Sequence, residues 1–171
     1  KSYRINNALI ADETTLGASI VNSSLTSTGT LTSLTVSGVT ELQSRVGIAS
    51  ATENVGVQGG TSGSQNYDLN TSAVFYHNSL TGNVDVNFQN VPTTASKAYT
   101  IAIIFNQGGT GRTLGNNVTI NGGSSTAIQW NGGTAPSGET NKKEVFTINL
   151  VNISATATPS WLVFGGSSAF G

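Results

Sequence analysis

His77, the only histidine of the chain, is the first residue from which catalytic chemistry would be expected. Ser79 and Asp85 follow it closely, and Ser, His and Asp are the residue types of a nucleophilic triad. A catalytic base must lie within reach of its nucleophile, and among 21 serines a neighbouring hydroxyl readily arises by chance. We therefore predict an imidazole at the surface or at an interface between subunits, and no catalytic residue.

Asn83, Asp85 and Asn87 alternate along one stretch, so a strand would place their side chains on the same face. Their oxygens suit calcium, but a competent site has about six or more oxygen ligands and denser carboxylates. The solvent-facing side of a half-buried strand is the simpler interpretation. We predict no metal site and no cofactor.

Glu139 and Glu144 could form a carboxylate pair, but Lys142 and Lys143 lie between them in the sequence. We prefer a surface cluster of ion pairs.

The glycine-rich residues 107–113 lack the Gly-Lys-Ser/Thr ending of a phosphate-binding loop, and we expect a mobile connection there.

Trp130 is the best candidate for a binding residue. Gln129 and Asn131 flank it at a turn, and a flat ring beside amides suits the recognition of a sugar. The alternative, which we favour, is that Trp130 packs into the core or into a subunit interface, as large aromatic residues usually do. Loops 107–117 and 131–142 are the candidate recognition loops.

The composition argues against nucleic acid and membrane partners. The 171 residues include 7 basic and 8 acidic side chains, a net charge of −1 without a basic surface. Only 9% of residues are charged, against about 25% in ordinary soluble domains, and 21 Ser, 24 Thr and 18 Asn take their place. There is no cysteine, and the longest apolar run, residues 101–105, is too short to cross a bilayer.

Residues 67–171 have the pattern of an all-β module. Apolar and polar residues alternate at 84–88 and at 144–150, and residues 98–106 are apolar nearly throughout, as in a central strand. Asn-Gly pairs at 121–122 and 131–132 favour hairpin turns, and residues 79–83 are expected to turn one strand into the next. We predict an antiparallel, jelly-roll-like β-sandwich, preceded at 57–66 by a linker or a sharp turn.

Residues 1–60 do not have such a pattern. The stretch SSLTSTGTLTSLTVSGVT, residues 23–40, places single Leu and Val residues between small polar ones. One extended chain of this kind buries too little apolar area to offset its backbone entropy, about 1–2 kcal/mol per ordered residue. We expect an extended arm or stalk that intertwines with other copies around a shared axis. A disordered linker is the alternative.

Residues 4–40, RINNALIADETTLGASIVNSSLTSTGTLTSLTVSGVT, resemble the stalk segments of fibre and spike proteins of tailed bacteriophages. The phrases VNFQNVPTT (86–94), IQWNGGTAPSG (128–138) and NKKEVFTINL (141–150) are similar to a β-module in virion proteins of marine and cyanobacterial phages. Together the two resemblances cover most of the chain. They imply a homotrimeric virion component without enzymatic activity.

Two departures from that family matter. The stalk phrase occurs about once rather than in many copies, which favours a short fibre or spike. Nothing matches the self-cleaving chaperone that ends some phage fibres.

The sequence therefore favours a homotrimeric fibre or spike protein of a phage virion, an extracellular particle, attached to other tail, baseplate or capsid proteins. One alternative is a binding module whose loops recognise a host surface polysaccharide. Another is a capsid decoration protein with residues 1–60 as its anchoring arm.

Overall fold

The computed structural model describes residues 2–11, 33, 35–36, 40, 46–156 and 158–171. They fall into two units, residues 1–48 and residues 49–171. Most of the predicted stalk segment 23–40 lies outside the described residues. Within the described part of the chain, all regular structure is β apart from one short 3-10 turn, so the predicted all-β class is confirmed.

The first unit contains a hairpin of β1 (Tyr3–Ile5) and β2 (Ala8–Ala11), which pair antiparallel. Asn6 and Asn7 form the two-residue turn with φ values of 49° and 63°. Asparagine adopts this left-handed backbone more readily than most residues, so the Asn-Asn pair suits a tight hairpin.

The second unit contains nine strands that form one mixed sheet, nearly closed into a barrel. Their order in the sheet is β3-β5-β7-β10-β11-β9-β8-β6-β4. In chain order the elements are β3 (Val55–Gln58), β4 (Thr61–Asp68), β5 (Val74–His77), β6 (Leu80–Gln89), β7 (Ala98–Asn106), β8 (Leu114–Ile120), β9 (Thr126–Trp130), a 3-10 turn (Asn131–Gly133), β10 (Lys143–Asn152) and β11 (Trp161–Phe170).

The prediction of an antiparallel sandwich was wrong, because five of the eight neighbouring pairs are parallel. They are β3–β5, β5–β7, β4–β6, β6–β8 and β9–β11. From β3 to β8 the chain alternates between two walls, with β3, β5 and β7 in one and β4, β6 and β8 in the other. Each return places the new strand beside the previous strand of the same wall, in the same direction.

Short connections make the corners between the walls. Residues 57–66, expected as a linker or a sharp turn, contain the last two residues of β3, the corner Gly59–Gly60 and the first six residues of β4. The corner Asn78–Ser79 stacks on it, since Asn78 N donates to Gln58 O (2.9 Å) and Gly60 N donates to Ser79 Oγ (2.8 Å). A Cβ at Gly59 would lie only 2.8 Å from Asn78 Oδ1, so the stacking favours glycine there.

The strand patterns at 98–106 and 144–150 were read correctly. β7 lies between β5 and β10, and its inward residues Ile101, Ile103 and Phe105 are completely buried. The hairpin predicted at Asn121-Gly122 is also confirmed, because β8 and β9 pair antiparallel across it. The hairpin turn favoured at 131–132 was wrong, since these residues form a 3-10 turn and β9 and β10 are not neighbours in the sheet. The turn expected at 79–83 lies earlier, at Asn78–Ser79, because residues 80–83 already belong to β6, and it joins strands of different walls.

His77 is completely buried, so the predicted surface or interface imidazole was wrong. Its Nδ1 lies 2.8 Å from Thr61 Oγ1 and its Nε2 lies 2.9 Å from the Tyr67 hydroxyl. Both partners belong to β4, at one end of the sheet order, whereas His77 belongs to β5, next to the other end. We name these three residues the His77 clamp, which joins the two ends of the sheet.

A neutral imidazole satisfies every group of the clamp. Tyr67 OH donates to Nε2, Nδ1–H donates to Thr61 Oγ1, and the Thr61 hydroxyl donates to Ser79 O at 3.4 Å. Burial lowers the pKa of His77 to about 4 and raises the pKa of Tyr67 well above its usual range. Both groups are therefore neutral at pH 7.

The folded protein should lose stability as the pH falls from about 6.5 to about 4. In that window the unfolded chain protonates His77 and the folded chain does not, so acid favours the unfolded state. A depression from 6.5 to about 4 corresponds to about 3 kcal/mol of unfolding free energy, with no further contribution from His77 at lower pH. Urea unfolding at pH 7, 5.5 and 4 measures this loss.

Because His77 is the only histidine, its ring proton signals in an NMR titration report on it alone. They should stay constant through pH 6.5 and shift only near pH 4. A midpoint near 6.5 in the folded protein would contradict the clamp.

Candidate interaction face

The wall made of β3, β5, β7, β10 and β11 has an apolar outer side. Its register aligns two rows of outward residues across all five strands. One row is Val55, Val74, Ala102, Thr147 and Gly166, and the other is Val57, Tyr76, Ile104, Val145 and Ser168. We name these ten residues the apolar face. Seven of them are apolar and none is charged.

Several side chains of this wall are unusually exposed for their type. Val55 and Val57 are 52% and 63% exposed, and Phe164 and Phe170, on β11, are 40% and 57% exposed. A concavity of about 320 Å³ lies on the same side, and Phe170 and Val145 are among its lining residues. A soluble protein seldom leaves such a contiguous apolar surface in water unless something covers it.

The wall that contains β4, β6 and β8 has a polar outer side. Asn87 Nδ2 donates to Asn66 Oδ1 at 2.8 Å, and the Thr119 hydroxyl donates to Asn87 Oδ1 at 2.7 Å. These bonds form a ladder across three strands. Beside the ladder, Ser64 of β4 and Asp85 of β6 are register partners. Of the two outer sides, only the apolar face would gain free energy by being covered.

The structure separates the three predicted binding residues. Trp130 is half-buried against the core, with its ring centroid 6.3 Å from that of Phe146, and a Cβ at Gly165 would lie 2.7 Å from the indole. Gln129 is exposed and is the register partner of Phe164. Asn131 is exposed and lines the concavity on the apolar side. Gln129 and Asn131 therefore border the apolar wall, and the indole packs inward.

The residues of the hypothetical triad are not brought together. Both ring nitrogens of His77 are engaged by the clamp. The Ser79 Oγ accepts from Gly60 N instead, and Asp85 is exposed on the polar wall.

Asn83, Asp85 and Asn87 do share one outer side, as expected for a strand. Asn83 Oδ1 accepts from Thr113 N at 3.1 Å, and Asn87 belongs to the ladder. Among the residues that the structure describes, no group of three or more His, Cys, Asp or Glu side chains could hold a metal ion.

The candidate loops 107–117 and 131–142 lie side by side. Gln107 N donates to Lys142 O at 2.9 Å, and Asn141 N donates to Gly108 O at 2.8 Å. A Cβ at Gly138 would lie 2.6 Å from Arg112 O, so the two backbones touch there. The loops are thus one packed structure.

Residues 107–113, expected to be mobile, are held by a buried side chain. The Gln107 amide accepts from Arg112 N at 2.8 Å and donates to Arg112 O at 2.7 Å.

The same amide donates to Glu144, which is buried, while Glu139 forms an exposed ion pair with Lys142. The two carboxylates therefore serve separate contacts, and only Glu139 fits the predicted surface cluster.

No protein-family model, no curated protein and no solved structure matches this chain. Among the described residues, none forms a helix that is long and apolar enough to span a membrane.

Replacing Trp130 by alanine should destabilise the fold by about 2–4 kcal/mol, because the indole packs on Phe146 and Gly165. Gln129→Ala, at the exposed neighbouring position, should change stability by less than about 0.5 kcal/mol. Urea unfolding of both variants tests this difference. A Trp130→Ala protein as stable as the original would show that the indole has no packing role and would restore Trp130 as a surface ligand-binding residue.

Proposed function

We propose that this chain is a non-enzymatic structural protein of a tailed-phage virion, a short fibre or spike in which three copies associate through the apolar face. The observation that carries the proposal is the contrast between the two walls. One presents two uncharged and largely apolar rows on its outer side, with Lys143 and the hydrogen-bonded Thr100–Asn149 pair lying beyond them, and the other has a hydrogen-bonded polar outer side. A threefold arrangement places the first at the axis and the second in solvent.

The size of the apolar wall fits this role. The wall is five strands wide, with about 4.8 Å between strands, and its strands average about seven residues, each adding about 3.3 Å of length. These dimensions give a flat area of about 500 Å², and the protruding side chains increase the accessible surface further. Each partner in a stable interface contributes about 800 Å² of accessible surface. Phe164 and Phe170 add exposed area beyond the two rows.

The remaining parts of the proposal rest on the sequence. The part of the chain before the second unit, residues 1–48, would form the extended arm that intertwines with other copies and attaches to tail, baseplate or capsid proteins, as the resemblance to fibre proteins implies. The engagement of His77, Glu144 and Gln107 in structural contacts supports a role without catalysis.

Light scattering should give the isolated chain a mass near three times 17.5 kDa. The double variant Val57→Asp and Ile104→Asp should reduce the mass to that of one chain, because each buried carboxylate would lose its hydration at the interface. Val57 is 63% exposed in the single chain, so that substitution should be tolerated by the fold.

Ser62→Asp with Ala127→Asp is the matched control, since it adds the same two carboxylates to exposed positions outside the apolar wall, neither of which is the register partner of Asp85. This variant should remain trimeric. A monomeric original protein, or an oligomer that the Val57 and Ile104 substitutions leave intact, would contradict the proposal.

A further inference from the structure

The parallel strands β4, β6 and β8 end at the same edge of their wall, and an asparagine follows each of them closely. These are Asn70, Asn90 and Asn121. Their turns and the start of β7 surround two adjoining cavities of about 770 Å³ and 340 Å³, which share Asn70, Asn90 and Pro92. We name the two cavities together the amide cleft. It lies at the opposite end of the strands from loops 107–117 and 131–142.

Side-chain hydrogen bonds hold the walls of the cleft in place. Asn121 Oδ1 accepts from Val91 N at 3.0 Å, and its Nδ2 donates to Val91 O at 2.8 Å. Asn90 Nδ2 donates to Asp68 Oδ1, also at 2.8 Å. These bonds fix the turns that surround the cleft, which lowers the cost of ordering its walls when a ligand binds.

Two amides in the larger cavity remain available. Within the described part of the chain, the side chains of Asn70 and Gln89 make no hydrogen bond, although both line this cavity. Each amide offers two N–H donors and one carbonyl acceptor. They can therefore bind a group that both donates and accepts hydrogen bonds, as a hydroxyl does.

The smaller cavity adds an apolar surface. Leu69, Pro92, Tyr99 and Ile101 are among its lining residues, and the Tyr99 hydroxyl donates to Pro92 O at 3.1 Å, which fixes the ring. No charged residue lines either cavity. The cleft thus offers amides beside an aromatic and aliphatic surface. The Asp68 carboxylate beside it accepts hydrogen bonds from Asn90 and from Asn70 N, and its charge disfavours an anionic ligand.

We propose that the amide cleft binds a neutral oligosaccharide. The Asn70 and Gln89 amides would hydrogen-bond sugar hydroxyls, and the apolar C–H face of a ring would lie against Tyr99 and Leu69. The larger cavity is a broad depression open to solvent, which suits a chain-like ligand that lies along the surface. This binding goes beyond the structural function and does not depend on the oligomeric state.

The test is titration calorimetry of the full chain with maltohexaose, cellohexaose, mannohexaose and N-acetylchitohexaose, and with hexagalacturonate as the anionic comparison. At least one neutral hexasaccharide should bind. Asn70→Ala and Gln89→Ala should each weaken that binding about 3- to 10-fold, which corresponds to the loss of one or two hydrogen bonds. Gln89→Glu, which keeps the size of the side chain but replaces the amide donors, should have the same effect.

Asn117→Ala is the matched control, since it removes an exposed amide of the polar wall that lines neither cavity and should leave the affinity unchanged. The thermal midpoints of all variants should match the original, because neither Asn70 nor Gln89 is bonded within the described fold. The proposal is overturned if no neutral hexasaccharide binds at millimolar concentration, if only hexagalacturonate binds, or if the Asn70→Ala, Gln89→Ala double variant binds with full affinity. Loss of binding in Asn117→Ala alone would also overturn it.

Discussion

The hydrogen bonds of His77 to Thr61 and Tyr67 are the constraint on which the second unit depends most. A nine-stranded sheet that curls back on itself must bring its two ends together, and here β5 meets β4 without a backbone ladder between them. The side chains supply the connection instead. The clamp lies within a group of aromatic rings, with His77 5.1 Å from Phe105 and Tyr67 4.9 Å from Phe75 between centroids. In so apolar a place an unpaired polar group would be costly, which makes the three-residue arrangement highly specific.

The same junction shows what could be predicted from the sequence. Alternation at 144–150 identified β10 and its inward residues correctly, because period-2 hydrophobicity reports burial on one face. The partner of a strand is not encoded in that pattern. The corners Gly59–Gly60 and Asn78–Ser79 are as short as hairpin turns, yet they join strands in different walls. The antiparallel prediction therefore failed for β3 to β8, where the chain alternates between the walls. His77 was misplaced for a related reason, since its partners are 10 and 16 residues away and belong to a strand that was predicted as a linker.

The two candidate surfaces also differ in how much of them a local sequence pattern can report. The apolar face had a local signal, because residues 98–106 are apolar on both sides of the strand, which leaves Ala102 and Ile104 pointing outward. The sequence offered burial in a central strand as the explanation, and only the register with Val57, Tyr76 and Val145 shows that the outward residues form one surface. The amide cleft had no local signal at all, since Asn70, Asn90 and Asn121 converge only because β4, β6 and β8 are parallel.

The unusual composition has a physical explanation in these features. Five of the six non-glycine residues with positive φ in the described structure are asparagines, so this side chain provides the left-handed turns. Asparagine also forms the ladder of the polar wall and locks the turn at Val91. An amide can donate and accept at once, which allows these contacts to satisfy one another without paired charges. Neutral contacts are insensitive to ionic strength, in contrast to surface ion pairs, which salt screens. A chain with 9% charged residues can therefore keep a polar outer surface and still leave one largely apolar side for association.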